Sequence, residues 1–241
     1  MMDRQQPHLT LSMVVRNEGD RYLSEALKRH RTYIDAAVII DDASTDRTPE
    51  LCMELLEGIP LKLVRNRVPM FANEIELRKK QWEETVATGP DWILNLDADE
   101  WFEDRFASGV HSLMLQSEMA LYSFRMYDFW TRTAYREDDL WQMHAGYRPL
   151  LLRYQPEFDY AWQETAQHCG RYPENIYNLP NAISDFRVKH MGWSDPLDRI
   201  AKFRRYMSYD PEGKFGSLQH YYSILDDRPR LFEWREDTEQ P

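Results

Sequence analysis

Leu9-Thr-Leu-Ser-Met-Val-Val15 is an apolar run that gives way at once to the polar stretch Arg16-Asn17-Glu18-Gly19-Asp20. That pattern predicts a buried strand entering a loop. From 20 to 33 the apolar positions Tyr22, Leu23, Ala26 and Leu27 recur at helical spacing. Ala36 to Ile40 predicts a second buried strand, which ends in Asp41-Asp42-Ala43-Ser44-Thr45-Asp46. Thr48 to Gly58 predicts a helix, with Thr48 as its N-cap and Pro49 at its first position. Leu61 to Arg65 predicts a third strand. Asn73 to Thr88 predicts a long amphipathic helix closed by Gly89-Pro90. The fourth strand, Asp91 to Leu96, stops at Asp97-Ala98-Asp99-Glu100.

Strands and helices thus alternate at βαβ spacing over the first 100 residues, which predicts an α/β fold: a mostly parallel sheet with helices on both faces. In such sheets ligands bind beyond the carboxyl ends of the strands. The first, second and fourth strands all end in polar or acidic clusters, so these clusters should converge on one crevice. The second half is less regular. Residues 118–165 are rich in aromatics and predict mixed strands and loops. Asp195 to Tyr209 predicts a helix, started by Ser194-Asp195-Pro196 and stopped before Pro211-Glu-Gly213. The charged tail from Asp226 carries two prolines and is expected to be loosely held. No repeat or linker divides the chain. It reads as a single domain over 1–241, with a regular α/β half at 9–115, an aromatic-rich half at 116–215 and a charged tail at 216–241.

Composition narrows the function. The chain has 241 residues and a net charge of −11. A general nucleic-acid binder would be basic, so that role is disfavoured. An acidic balance suits carboxylates that hold a divalent cation, although ordinary solubility explains it equally well. Aromatics reach 13%, with 8 Trp and 14 Tyr, which fits either a large aromatic core or a sugar-binding cleft. Cys52 and Cys169 lack CxxC spacing and predict two free thiols. No apolar run approaches the roughly 20 residues that cross a bilayer, and no signal-peptide pattern precedes His8, so a soluble cytoplasmic protein is expected.

Asp97 and Asp99 directly follow the fourth strand. Read as an extended segment, their spacing turns both carboxylates to one side. Two such charges need a cation or a strong hydrogen-bond network. Oxygen ligands suit Mn²⁺ or Mg²⁺, and such an ion stabilises a departing diphosphate. Alone, a D-x-D is a weak signal.

Four motifs in order strengthen it. Val14-Val15-Arg16-Asn17-Glu18 resembles the N-E opening of the family 2 glycosyltransferases. Asp41-Asp42-Ala43-Ser44-Thr45-Asp46-Arg47-Thr48 is close to the family's D-D-x-S-x-D-x-T. Arg78 lies in the helix before the fourth strand, where the family has an arginine. Trp92 to Glu100 resembles its D-x-D strand. The resemblance covers residues 9–103 strongly and the remainder thinly. It implies the GT-A fold, a Rossmann-like central sheet with an aromatic-rich acceptor half, and a nucleotide-sugar donor, UDP-linked by default. It implies that Asp41, with Asp42 as the alternative, contacts the nucleobase. Arg78 would contact the nucleotide, Asp97 the ribose or diphosphate, and Asp99 the metal. Thr10, Val14, Arg16 and Asn17, with Ala98, would lie against the nucleotide. Turn formation and helix N-capping are the alternative for Asp41 and the preferred reading of Asp46.

The same resemblance extends to the second half. Many GT-A enzymes take a late histidine as a metal ligand, and His190 in Val188-Lys-His-Met-Gly-Trp193 stands where it would be expected. His144 and His168 are weaker candidates. Inverting transfer needs a general base for the acceptor hydroxyl. Glu164 follows Arg148-Pro-Leu-Leu-Leu-Arg153, which is similar to the family's R-L-F-R strand, and is the leading candidate over Glu157 and Asp159. In the helix from 195, Arg199, Lys202, Arg204 and Arg205 form what is ordinarily a solvated face. Lys202 and Arg205 are the candidates to meet the departing diphosphate, and a peripheral membrane contact ranks third.

The expected activity is therefore a metal-dependent, inverting transfer of a sugar to a hydroxyl acceptor of undetermined kind. A sugar-phosphate nucleotidyltransferase is disfavoured, because the loop after the first strand has a single glycine where a triphosphate cradle needs several. A catalytically silent nucleotide-binding module is the second rival.

Overall fold

The computed structural model describes residues 6–165, 169–214 and 216–237. Its elements in chain order are β1 (Leu9–Val15), α1 (Leu23–His30), β2 (Ala36–Asp41), α2 (Thr48–Leu55), β3 (Leu61–Arg65), α3 (Glu74–Val86), β4 (Trp92–Asn95) and β5 (Glu100–Phe102). They continue with α4 (Phe106–Met114), β6 (Leu121–Asp128), β7 (Ala134–Arg136), β8 (Tyr147–Arg153), β9 (Asn181–His190), α5 (Pro196–Tyr209), α6 (Leu218–Ser223) and β10 (Leu231–Glu233).

Eight strands form one sheet in the order β3-β2-β1-β4-β8-β6-β9-β5. The first four run parallel, as their buried apolar runs and helical crossovers predict. β8 then joins antiparallel to β4 and β6, β9 runs parallel to β6, and β5 closes antiparallel to β9. Residues from both halves of the chain therefore share this sheet. The largest core packs Leu9, Leu11, Met13 and Val15 of β1 against Leu23 and Leu27 of α1, Phe106 and Val110 of α4, and Phe124 of β6.

The opposite face of β1 is polar. α3 turns Arg78, Gln81 and Thr85 inward at positions i, i+3 and i+7, and all three are buried. Ser12 Oγ lies 2.9 Å from Thr85 Oγ1. Gln81 Nε2 donates to Ser12 Oγ at 3.0 Å and to Asn95 Oδ1 at 3.4 Å. Arg78 Nη1 donates to Gln81 Oε1 at 3.1 Å. This seam aims Arg78 at the end of β4.

Three expectations need correction. Thr48 is the first residue of α2 and not its cap; Asp46 Oδ1 accepts from Thr48 N at 3.0 Å and from its hydroxyl at 2.6 Å. Thr10 pairs with Ala36 and Ile93, at the end of β1 away from the crevice, and is buried there. The tail is not loose through residue 237. β10 pairs with β7, Trp234 packs beside Tyr127 and Phe129, and Glu236 takes a close ion pair from Lys189. Its charges are spent on contacts, which composition alone does not reveal. Cys52 and Cys169 are free and buried, as expected.

Candidate active site

The register of the parallel strands sets Val15 beside Asp41, and Ser12 beside Asn95, so the ends of β1, β2 and β4 meet. The loops there are tied together. Asn17 Oδ1 accepts from Thr45 N at 2.8 Å, and Asn17 N donates to Ser44 Oγ at 2.9 Å. Asn17 and Ala43 both adopt left-handed backbone, with φ of 53° and 59°. In non-glycine residues that conformation is uncommon and clusters at functional sites. Val14 is half-buried below this junction, and Arg16 projects into solvent.

Asp41 is fully buried. Its Oδ1 accepts from Ser44 N at 3.1 Å and its Oδ2 from Arg65 Nε at 3.2 Å. A base reaching Asp41 would have to displace the exposed Arg65 side chain. Asp42 is turned to another task. Its carboxylate accepts from Asn66 Nδ2 and Met70 N, both at 2.8 Å, and from Phe71 N at 3.2 Å. It pins the 66–71 loop. Asp42→Ala strands these donors and is expected to cost about 2–4 kcal/mol of stability, checked by denaturant unfolding.

The D-x-D segment is a turn and not extended chain, because Glu100 N donates to Asp97 O at 3.1 Å. The two carboxylates consequently face different partners, which corrects the expectation that they share one side. Ala98 is buried in the main core and serves as the spacer. Asp97 lies 3.5 Å from Arg78 Nη2 and 2.9 Å from Arg171 Nη2. Burial pushes its pKa up, but Arg171 and Arg78 outweigh this and hold it below the usual carboxylate range. Asp99 Oδ2 lies 3.6 Å from His190 Nε2 and 4.0 Å from Lys202 Nζ. Both aspartates are half-buried; at Asp99 desolvation raises the pKa, and His190 and Lys202 outweigh it and depress the pKa.

Strand pairing places His190. β5 aligns Glu100 with His190, and β6 aligns Asp128 with it. Asp128 Oδ1 sits 2.6 Å from His190 Nδ1, which leaves Nε2 facing Asp99. A carboxylate on the far ring nitrogen is the arrangement that orients a metal-binding imidazole. Gly192 completes the geometry. A Cβ there would stand 2.2 Å from Asp99 Oδ2, 2.5 Å from Lys202 Nζ and 3.0 Å from His190 Nε2. Asp99, His190 and Lys202 thus converge on a space that only glycine leaves open. Asp99, Glu100 and His190 form the one group among the described residues whose ligand atoms lie within metal-holding reach, 4.8 Å of one another. The residues fit a divalent cation.

Without metal, burial would lower the His190 pKa, but Asp99 and Asp128 raise it to about 10. The imidazolium therefore stabilises the metal-free fold fully below the ordinary histidine value near 6.5, and this contribution fades as pH rises towards 10. The unfolding free energy of metal-free protein, compared with His190→Gln, should show a gap that closes over that window, on the order of a few kcal/mol.

A cavity of about 700 Å³ opens beside this cluster, lined by Asp97, Glu100, Arg148, Arg171, Tyr177 and His190 among others. Glu164 is not gathered into the cluster. It is exposed and pairs with Lys79 Nζ at 2.5 Å, although its neighbour Gln163 lines the cavity. Glu157 and Asp159 are exposed as well. Arg205 lies on the outer face of α5 near the Tyr206 ring, whereas Lys202 points inward over Trp193 at 4.2 Å. Burial lowers the Lys202 pKa, and Asp99 partly restores it. His144 pairs with Glu137 at 3.2 Å, and His168 lies outside the described residues.

Three participants escaped the sequence reading. Arg171 bridges Asp97 and Glu100. Asp128 orients His190. Glu18, whose pKa burial pushes up to about 7, joins Arg21 and Asp198 in linking the β1 loop to α5. Sequence separation hid the first two, and only the N-E motif marked the third.

A parallel β3-β2-β1-β4 half-sheet carrying a D-x-D turn at its carboxyl edge is the architecture of GT-A enzymes. The family model for glycosyl transferase family 2 matches residues 10–170, and the chain belongs to that family. Two curated relatives, Rv3786c of Mycobacterium tuberculosis and Mb3815c of Mycobacterium bovis, are each 23% identical over 94% of this chain. Both are uncharacterised, and the chain spans 56% of their length. Among solved structures, TarS 1-349 of S. aureus superposes with a TM-score of 0.58 at 13% identity, covering 90% of this chain and 69% of that one. Its complex with UDP-GlcNAc gives 0.53 at 13% identity, covering 90% and 70%. These likenesses establish the mixed α/β GT-A fold. Among the described residues, no helix is long and apolar enough to cross a membrane.

Proposed function

We propose that this chain is a metal-dependent, inverting glycosyltransferase that moves a sugar from a nucleotide-sugar to a hydroxyl acceptor. The convergence of Asp99, His190 and Lys202 on the space at Gly192, at the carboxyl edge of the parallel strands, carries this reading. Asp99 and His190 would hold Mn²⁺ or Mg²⁺, with Asp97 and Arg78 turned to the nucleotide. When bound, the ion offsets charge on the diphosphate as it leaves. Lys202 supplies a further cation at the same place. Val14, Arg16, Asn17 and Asp41 border the nucleotide side. UDP is favoured as carrier because TarS, which shares the fold, was crystallised with UDP and with UDP-GlcNAc.

Two carboxylates compete for the base. Glu164 needs its pair with Lys79 to open. Glu174 lines the cavity and has no cationic partner among the described residues. The base variant, Glu164→Gln or Glu174→Gln, should lose kcat by about 10²–10⁴ while keeping nucleotide affinity.

A thermal-shift screen of UDP, dTDP and GDP, with and without Mn²⁺, tests the whole reading. UDP with Mn²⁺ should stabilise the protein by about 2.7 kcal/mol at 100 times its Kd. Stabilisation by a nucleoside diphosphate that is indifferent to metal and to Asp99→Ala would sink the metal assignment. Binding without hydrolysis or transfer of any donor would favour a silent module.

A further inference from the structure

Glu100 has the reach of a third metal ligand, yet both its oxygens are taken. Arg171 Nη1 donates to Oε2 and Nη2 to Oε1, each at 2.6 Å, and Asp97 N donates to Oε2 at 3.0 Å. Arg171 Nη2 also holds Asp97 Oδ2 at 2.9 Å. The arginine is itself fixed, since Asn95 Nδ2 donates to its carbonyl at 3.1 Å and Gly170 before it takes a φ of 83°. Glu100 is buried, so this two-pronged contact is made largely out of water. The planar fork of arginine matches a carboxylate at both oxygens, which lysine cannot do. Asp99, by contrast, faces its partners at 3.6 and 4.0 Å, loosely enough to turn towards an ion.

Building on the metal-dependent function above, we propose that Arg171 is a positioning residue that withholds Glu100 from the metal. The protein then offers only Asp99 and His190. A divalent ion held by these two alone would leave its other positions to diphosphate oxygens and water, and would be held firmly only when the nucleotide is present. Freed from Arg171, Glu100 would add a third protein ligand, tighten the metal in the absence of nucleotide, and occupy a position the diphosphate requires.

The test measures Mn²⁺ binding to the full chain by the electron paramagnetic resonance of free Mn²⁺, with and without UDP. Water-proton relaxation counts the waters left on the bound ion. In Arg171→Met, nucleotide-free Mn²⁺ should bind about tenfold tighter than in wild type. The bound ion should lose a coordinated water, and UDP should tighten it less. The double variant R171M/E100Q should regain that water. Arg171→Lys keeps the charge and loses the fork, so tightening there marks coordination and not charge alone; it also serves if Arg171→Met fails to fold. The inference is overturned if neither folded variant binds Mn²⁺ more tightly, or if the water count stays at the wild-type value. If wild type with UDP or another nucleoside diphosphate retains no Mn²⁺ at all, the proposed function falls and this inference with it. If wild type retains the ion and the Arg171 variants match it, only the inference falls.

Discussion

Gly192→Ala is expected to reduce transfer by about 100-fold or more while leaving the protein folded. The added methyl would meet Asp99 Oδ2, Lys202 Nζ and His190 Nε2, all at the far ends of side chains that can swing aside. The backbone at Gly192 is not left-handed, so alanine introduces no strain there. The fold therefore pays little, and the constellation is displaced. A shift of about 1 Å in a catalytic arrangement costs roughly 10² in rate. Steady-state kinetics beside a thermal melt would check the prediction. Equal loss of activity and stability would show that Gly192 serves packing, and unchanged activity would remove the space between Asp99 and His190 from the site.

Asp99→Asn should have the larger effect, on the order of 10³ in kcat, because a metal ion supplies several kcal/mol of charge stabilisation. The substitution preserves shape and removes the charge that His190 and Lys202 face. Three readings should move together: activity falls, Mn²⁺ no longer adds to stabilisation by UDP, and the His190 pKa drops from about 10 towards its ordinary value, since Asp99 is the main charge raising it. The histidine titration can be followed by NMR in metal-free protein. Full activity in Asp99→Asn would rule this aspartate out as a ligand.

The parallel half-sheet is legible in the sequence because each of β1 to β4 is a short apolar run bounded by loop signals. The stretch just after Glu100 is not, although the helix capped by Asp195 is legible again further on, observed as α5 over Pro196–Tyr209. β5 is three residues long and begins within the acidic turn, so no period can mark it. α4 lacks a side-chain cap and contains Gly109, a poor helix former. That glycine is required by tertiary packing, since a Cβ there would fall 2.3 Å from Phe186 Cζ. In the site, motifs pointed to Asp97, Asp99 and His190 because their neighbours in sequence are their neighbours on strands. Arg171 acts on residues 71 and 74 positions away, a distance that only the folded chain closes. Glu164 follows β8 in sequence, and that place leads to the surface.

The polar seam behind β1 has one further consequence. A guanidinium can only donate, so Gln81 must turn its oxygen to Arg78 and its amide protons to Ser12 and Asn95. Thr85 gives its proton to the Gln81 carbonyl at 2.7 Å, so Ser12 must give its own to Thr85. The side-chain hydrogens of Ser12, Gln81 and Thr85 are thereby assigned, and the assignment runs one way. A core of aliphatic side chains would accept many rearrangements of equal volume. This one has a grammar: glutamate at position 81, nearly the same shape, would set an acceptor where Ser12 and Asn95 call for a donor, and the aim of Arg78 would be lost with it.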